Sequence, residues 1–233
     1  MNEYATDAKD RESIPRRLMF PTIIAALVVT WIVELLKQHI GLFRDYGWVI
    51  DVSSAPFFYD VFRNWFDNTL WRKRIGGKPL SEIPNLNGTW IGMGRSSYKG
   101  QDGHQVTPYR VVVYINQTWS RICIELNTKG SESKSTMAAL NTENSARSGL
   151  RYEYINTPRS LTFEGLNPET MHMHEGVVQL RLGSDRKTLN GDYYTDQRRN
   201  NCGSLDLHFH SDNYINYTEM MNVLQQPVTI AHV

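Results

Sequence analysis

Residues 86–98 read LNGTWIGMGRSSY, a short run in which small residues alternate with large ones. Read as a strand, it places Trp90, Gly92 and Gly94 on one face and Ile91 on the other. A glycine inside a strand usually marks a sharp bend or a close approach of another backbone. The segment therefore predicts a curved β-strand that begins with a large aromatic side chain set between small residues.

The region that follows contains no helical periodicity, only short runs of β-branched and aromatic residues separated by turn residues. Tight connections, such as those at 128–130 and 183–185, favour antiparallel neighbours in an up-and-down order. Eight such strands can close into a barrel that holds one small ligand. The sequence thus predicts an all-β domain, an eight-stranded antiparallel barrel of lipocalin-like shape, with a β-sandwich as the alternative. The predicted strands are 88–98, 108–117, 119–128, 133–141, 149–157, 174–183, 188–195 and 203–211.

Alternation of strand direction assigns each turn to one end of this barrel. Trp90 begins the first strand, so it is predicted to close one end. The longer and more polar loops share the other end with Tyr98, and we expect the ligand to enter there. Tyrosine offers a flat face for a nucleobase and a hydroxyl for a polar edge, while arginine offers a planar fork for phosphate. The predicted ligand-binding residues at this end are Tyr98, Tyr109, Arg110, Tyr154, Tyr193, Thr195, Arg198 and Arg199. The structural alternative is that the tyrosines fill the barrel and the arginines are solvated loop charges.

An apolar stretch precedes the barrel and is long enough to cross a bilayer as a helix, which takes roughly 20 residues. This first span is predicted near 18–37, and a second, aromatic but charge-bearing span near 46–68. Basic residues lie before the first span and after the second, which is typical of cytoplasmic flanks. The chain is thus predicted to divide into a cytoplasmic tail (1–17), a membrane anchor (18–70), a basic linker (71–85), the barrel (86–211) and a C-terminal tail (212–233), in which 217–224 could form a short helix.

Composition excludes several classes of function. Lys plus Arg number 25 and Asp plus Glu 24, so no global field favours a long nucleic acid. The two cysteines cannot form a disulfide framework, which favours a reducing compartment.

No catalytic motif is present, so no catalytic residue and no cofactor are predicted, and we expect the protein not to be an enzyme. The pairs His172/His174 and His208/His210 fall at opposite ends of the predicted barrel, so no metal site is expected.

The motifs LNGTWIGMG at 86–94 and LNGDYYTDQRRNNCGSLDLHF at 189–209, after an N-terminal membrane anchor and a basic linker, resemble a known family. The chain is similar to the membrane-anchored β-barrel effectors of bacterial CBASS antiphage operons, which are receptors for cyclic dinucleotides.

The resemblance implies a ligand, partners and a location. The ligand would be a cyclic dinucleotide made by a nucleotidyltransferase of the same operon, bound by the barrel in the cytoplasm. Binding would promote formation of a homo-oligomer, and the membrane segments of this multi-pass protein would disrupt the bacterial inner membrane, causing abortive infection. Two other hypotheses come from the residues: a membrane-tethered lipocalin-like carrier of a small apolar ligand, and a β-barrel metal hydrolase that uses a histidine pair.

Overall fold

The computed structural model describes residues 1–97, 108–142, 148–159, 173–197 and 200–226, with residues 41, 42 and 44 described by backbone alone. The chain forms two compact units. One contains Met1–Asp7 together with Ile83–Val233, and the other contains Ala8–Glu82.

The first unit is built on eight long strands that close into an antiparallel barrel. Each strand pairs with its neighbour in sequence, and the last pairs with the first. All of these pairings are antiparallel, which confirms the predicted up-and-down order. The strands are β5 (Gly88–Ser96), β6 (Tyr109–Gln117), β7 (Arg121–Asn127), β8 (Ser131–Asn141), β9 (Gly149–Pro158), β10 (His174–Leu182), β11 (Thr188–Thr195) and β12 (Cys202–Ser211).

Trp90 fills the end of the barrel at which β5 begins. Its side chain is 1% exposed, its indole N–H donates to the carbonyl of Leu86 at 2.9 Å, and its ring meets Phe209 edge-on at 5.3 Å. Gly92, on the same face, lies against β12 so closely that a Cβ atom would collide with the backbone carbonyl of Asp206. The glycine in the opening motif is therefore required because two backbones approach closely there.

Two very short strands complete the barrel wall from the N-terminus. β1 (Asn2–Glu3) pairs antiparallel with β7, and β2 (Ala5–Thr6) pairs parallel with β8. The sequence pattern predicts residues 1–17 as one cytoplasmic tail. The structure instead assigns Met1–Asp7 to the barrel unit.

A C-terminal helix, α3 (Tyr217–Gln225), packs on the outside of β6 through Met220 and Leu224. It begins with a capping box in which Asn216 and Glu219 exchange side-chain to backbone hydrogen bonds of 2.9 and 3.2 Å. The short helix predicted at 217–224 is thus present, and it buries an apolar face against the barrel.

The second unit contains two helices of 28 residues, α1 (Asp10–Lys37) and α2 (Gly41–Asn68), which pack side by side. Among the described residues, α1 is the helix that is long and apolar enough to cross a membrane. The predicted basic linker is partly ordered, because Arg74–Ile75 and Lys78–Pro79 form a small hairpin, β3 and β4. Its turn uses Gly76 and Gly77, both with positive φ.

Candidate ligand-binding site

A cavity of about 350 Å³ opens at the end of the barrel opposite Trp90. All eight long strands, or the residues beside them, contribute to its lining. The deeper wall contains Leu126, Val178 and Leu205, and the rest of the lining is mostly polar or aromatic. The cavity lies where β5 ends, which is the end of the barrel that turn counting selected.

Four tyrosines line the cavity: Tyr109, Tyr152, Tyr154 and Tyr193. The hydroxyls of Tyr109 and Tyr193 lie 3.2 Å apart, with Tyr109 as the donor. Three of these rings lie over glycines of a neighbouring strand, and a Cβ atom at any of those glycines would collide with the ring. The pairs are Gly94 with Tyr109, Gly176 with Tyr154, and Gly203 with Tyr193. Glycine therefore gives the rings room to lie against the cavity wall.

Tyr152 lies deepest among the tyrosines, with 2% of its surface exposed. Its buried hydroxyl has no hydrogen-bond partner among the described residues. Burial, with a smaller contribution from Tyr154, raises the pKa of this phenol far above its usual range, so it stays protonated and able to donate. A buried polar group without a partner costs free energy, and a ligand atom in the cavity would supply the missing bond.

Two buried asparagines add amide groups to the lining. Asn156 accepts a hydrogen bond from the Ser133 hydroxyl at 3.2 Å. Asn201 is held by Thr195, whose hydroxyl donates to the Asn201 side-chain oxygen and accepts from the Asn201 backbone N–H, both at 3.0 Å. Each primary amide presents two N–H donors, which suits the hydrogen-bonding edge of a nucleobase.

The turn between β7 and β8 forms one side of the rim. Thr128 shapes it by accepting hydrogen bonds from the backbone N–H groups of Gly130 and Ser131, at 3.3 and 3.0 Å. Arg159 braces it by donating to the side chain of Asn127 at 2.5 Å and to the Thr128 carbonyl at 3.3 Å. In the described part of the chain, Lys129 on this turn is the basic side chain that lines the cavity.

The structure brings four of the eight predicted ligand-binding residues together at the cavity: Tyr109, Tyr154, Tyr193 and Thr195. It places Arg110 elsewhere. Because Tyr109 points inward, its neighbour in β6 points outward, and the Arg110 guanidinium donates to the backbone carbonyl of Gln226, just after α3, at 3.2 Å. The prediction that groups Arg110 with the cavity residues is therefore corrected. The predicted residues Tyr98, Arg198 and Arg199 lie outside the described residues.

The residues that sequence reasoning missed include Tyr152, Asn156 and His174. Tyr152 and Asn156 flank Tyr154 at a spacing of two, so the strand period that selected Tyr154 also selects them. His174 pairs in register with Asn156, and its ring meets Tyr154 edge-on at 6.2 Å. His172, the other member of the His172/His174 pair, lies outside the described residues. Among those that are described, no group of three or more His, Cys, Asp or Glu side chains is arranged to hold a metal ion.

The sequence matches a family model over residues 81–208, described as "Cap15, cyclic dinucleotide receptor domain". This range covers the barrel from before β5 to most of β12 and includes every residue named above as lining the cavity. The chain belongs to the Cap15 family.

A Cap15 relative adds the membrane-proximal region to this similarity. "CD-NTase-associated protein 15" from Yersinia aleksiciae is 30% identical over 190 residues, which cover 82% of this chain and 84% of that protein. Because only 25 residues follow position 208 here, that alignment also includes residues that precede the Cap15 domain.

Proposed function

We propose that this protein is a membrane-anchored effector of a CBASS antiphage system, activated when its barrel binds a cyclic dinucleotide. The observation that carries the proposal is the lining of the cavity. It combines tyrosine rings, buried amides and the unpartnered hydroxyl of Tyr152 at one end of a barrel of the Cap15 cyclic dinucleotide receptor family.

In this proposal the tyrosine rings and amides recognise the two bases. Aromatic side chains stack on any nucleobase, and such contacts are worth about 1–3 kcal/mol per base. Tyr109, Tyr154 and Tyr193 present their rings to the cavity, while Asn156 and Asn201 present primary amide groups to it. The Tyr152 hydroxyl donates a hydrogen bond to the ligand from the bottom of the cavity.

The phosphates are assigned to basic groups at the rim. Lys129 lies on the turn beside the cavity, and a lysine ammonium pairs with phosphate as a point charge. The predicted ligands Arg198 and Arg199 belong to the loop between β11 and β12, which begins directly after Thr195. Their forked guanidinium groups suit bidentate binding to phosphate, so they remain our proposed phosphate ligands together with Tyr98.

The second unit supplies the membrane anchor, and we propose that α2 crosses the bilayer beside α1. The hydropathy of α2 is low because it contains Asp51, Asp60 and Arg63. However, Lys37 of α1 lies 3.8 Å from Asp51, so one of these charges is paired within the hairpin. Eight large apolar side chains of α2 are exposed, as they would be toward lipid: Tyr46, Trp48, Val49, Ile50, Val52, Phe57, Val61 and Trp65.

We propose that both flanks of the anchor, and with them the barrel, lie in the cytoplasm of the bacterium. Arg16 and Arg17 lie in the first turns of α1, and Arg72, Lys73 and Arg74 follow α2. Positive residues beside membrane spans favour the cytoplasmic side. A ligand drives assembly only if it binds the assembled form more tightly than the separate chains. We propose that such assembly gathers the anchors of several copies and that their clustering disrupts the inner membrane.

The direct test is calorimetric titration of the full-length protein in detergent with each cyclic dinucleotide that the four ribonucleotides can form. We expect saturable heat with at least one member and none with the corresponding linear dinucleotides. Absence of heat with every member, from protein whose folded state is verified by circular dichroism, would contradict the proposal. A carrier of apolar molecules would instead bind a fluorescent fatty acid.

A further inference from the structure

The border between β7 and β8 is closed by hydrogen bonds over only part of its length. The two strands pair directly at three positions, Glu125–Lys134, Leu126–Ser133 and Asn127–Glu132. Beyond these positions the two strands diverge. There the side-chain hydroxyl of Ser135 accepts a hydrogen bond of 2.9 Å from the backbone N–H of Ile124. We call the open part of this border, residues 121–124 of β7 and 135–141 of β8, the seam.

The N-terminal segment Met1–Asp7 fills the seam. Asn2 and Glu3 pair with Ile122 and Arg121, and Ala5 and Thr6 pair with Ala139 and Leu140. Between these two contacts the segment passes from one strand to the other. It thus satisfies backbone groups on both sides of a gap that would otherwise present two unpaired strand edges.

Side chains of the N-terminal segment make further hydrogen bonds to the barrel. Tyr4 is 6% exposed and its hydroxyl donates to the Trp119 carbonyl at 2.7 Å. The carboxylate of Asp7 accepts from the backbone N–H and the hydroxyl of Thr142 at 2.6 and 2.8 Å, and the Asn2 amide donates to the Thr136 carbonyl at 2.6 Å. The seam is therefore a specific binding site for the N-terminal segment.

The part of the N-terminal segment that pairs with the barrel is nevertheless short. Each of the two strands in the segment is two residues long, and the chain leaves the barrel unit directly after Asp7. Because the segment is joined to the anchor unit and not to a neighbouring barrel strand, it can leave the seam without breaking any pairing among the eight long strands.

We propose that the seam also receives the N-terminal segment of a second copy, so that neighbouring chains exchange these segments when they assemble. Exchange replaces each contact of the segment by the same contact with another copy, which makes it a low-cost route to association. Anchors confined to one membrane raise the effective concentration of the exchanging segments. This inference rests on the proposed assembly and identifies the contact through which the copies would associate.

The closed part of the β7–β8 border lies between the seam and the ligand cavity. Leu126 and Ser133, a directly paired position on the closed part of the β7–β8 border, both line the cavity, as does the turn that joins these strands. A ligand that contacts this turn therefore acts on the same two strands that hold the N-terminal segment. That shared border couples ligand binding to exchange.

The test uses two cysteine variants that can report exchange only between copies. Both carry Cys123→Ser and Cys202→Ser. One adds Glu3→Cys and the other Arg121→Cys, which are partners on neighbouring strands and both exposed. The two full-length chains are co-expressed, membranes are treated with the cyclic dinucleotide that gives heat in calorimetry, and disulfides are formed with copper phenanthroline. We expect a disulfide-linked dimer that contains one chain of each kind.

The matched control pairs the Glu3→Cys chain with a chain carrying His208→Cys, and this pair should give no mixed dimer. His208 is an exposed position on β12, which pairs with β11 and β5 and not with the strands of the seam. A second variant carries Glu3→Cys and Arg121→Cys in one chain. Oxidised before ligand is added, it should lose assembly, and a reductant should restore it.

Sedimentation of the detergent-solubilised protein separates the outcomes. Ligand-driven oligomers without the mixed disulfide, or oligomers formed by the oxidised double variant, would overturn exchange and leave the proposed function standing. If ligand binds but no oligomer and no disulfide form, both exchange and the proposed assembly are wrong.

Discussion

Replacing Tyr152 by phenylalanine should strengthen the ligand-free barrel and weaken ligand binding. The hydroxyl is buried at the bottom of the cavity and has no partner among the described residues, so the folded protein bears its desolvation cost. Removing such a group gains about 1–3 kcal/mol. For a chain of this size, that corresponds to a rise in Tm of roughly 2–4 °C per kcal/mol.

The effect on binding has the opposite sign. With the hydroxyl gone, the complex loses a hydrogen bond worth about 0.5–1.5 kcal/mol, while the ligand-free barrel gains about 1–3 kcal/mol. The two effects together weaken binding by about 1.5–4.5 kcal/mol, so Kd should rise by at least roughly tenfold. Because the raised pKa keeps this phenol neutral, the loss should not change across the neutral pH range. Calorimetry and thermal denaturation of the same samples, with and without ligand, measure both quantities.

The matched control is Tyr194→Phe, because Tyr194 is 53% exposed on the outer face of β11 beside Tyr193. It should change neither Tm nor Kd. If Tyr152→Phe lowers Tm and leaves Kd unchanged, the hydroxyl has a structural role and the reasoning about the cavity is refuted. A structural role predicts loss of stability, whereas a ligand-binding role predicts a gain.

Four further substitutions test other parts of the structure. Arg110→Ala should leave the Kd for the cyclic dinucleotide unchanged, since its guanidinium contacts the chain outside the barrel; a large loss of affinity would return it to the cavity. Lys129→Gln should raise Kd by up to about fivefold at low salt and by less at high salt, as expected for an exposed ion pair; an effect independent of salt would contradict a phosphate contact. Gly92→Ala should destabilise the barrel by at least about 1–3 kcal/mol in chemical denaturation, because its Cβ would collide with the β12 backbone; wild-type stability would disprove that close approach. Asn216→Ala should cost about 1 kcal/mol at the start of α3, seen as faster amide exchange in that helix, and no change there would show that the capping box contributes nothing.

The eight-stranded barrel could be predicted because its determinants are local. Alternation at period 2 marks each strand, and short turns force neighbours in sequence to become neighbours in the sheet. Counting turns was then enough to place Trp90 at one end and to select the end that holds the cavity. The same argument placed Tyr109, Tyr154, Tyr193 and Thr195 together, since strand direction and phase fix which residues share an end.

It was harder to predict whether a residue near the end of a strand points into or out of the barrel. A shift of one residue in the assumed strand reverses the answer. Arg110 follows an inward-pointing tyrosine and so points outward, which a one-residue change in phase would reverse. Tyr152 carried a usable signal, its spacing of two from Tyr154. Its depth and the lack of a partner for its hydroxyl depend on side chains from several strands.

By itself, the sequence determined the barrel, its closed and open ends and the apolar helix before it, because each depends on patterns within a few residues. Only the tertiary structure decided that Met1–Asp7 closes the barrel wall and that α2 packs beside α1 with Asp51 near Lys37. Strands of two residues carry no periodic signal, and their pairing depends on partners more than 110 positions away in the chain. Such contacts exist only after the long strands have closed and left a gap of the right shape.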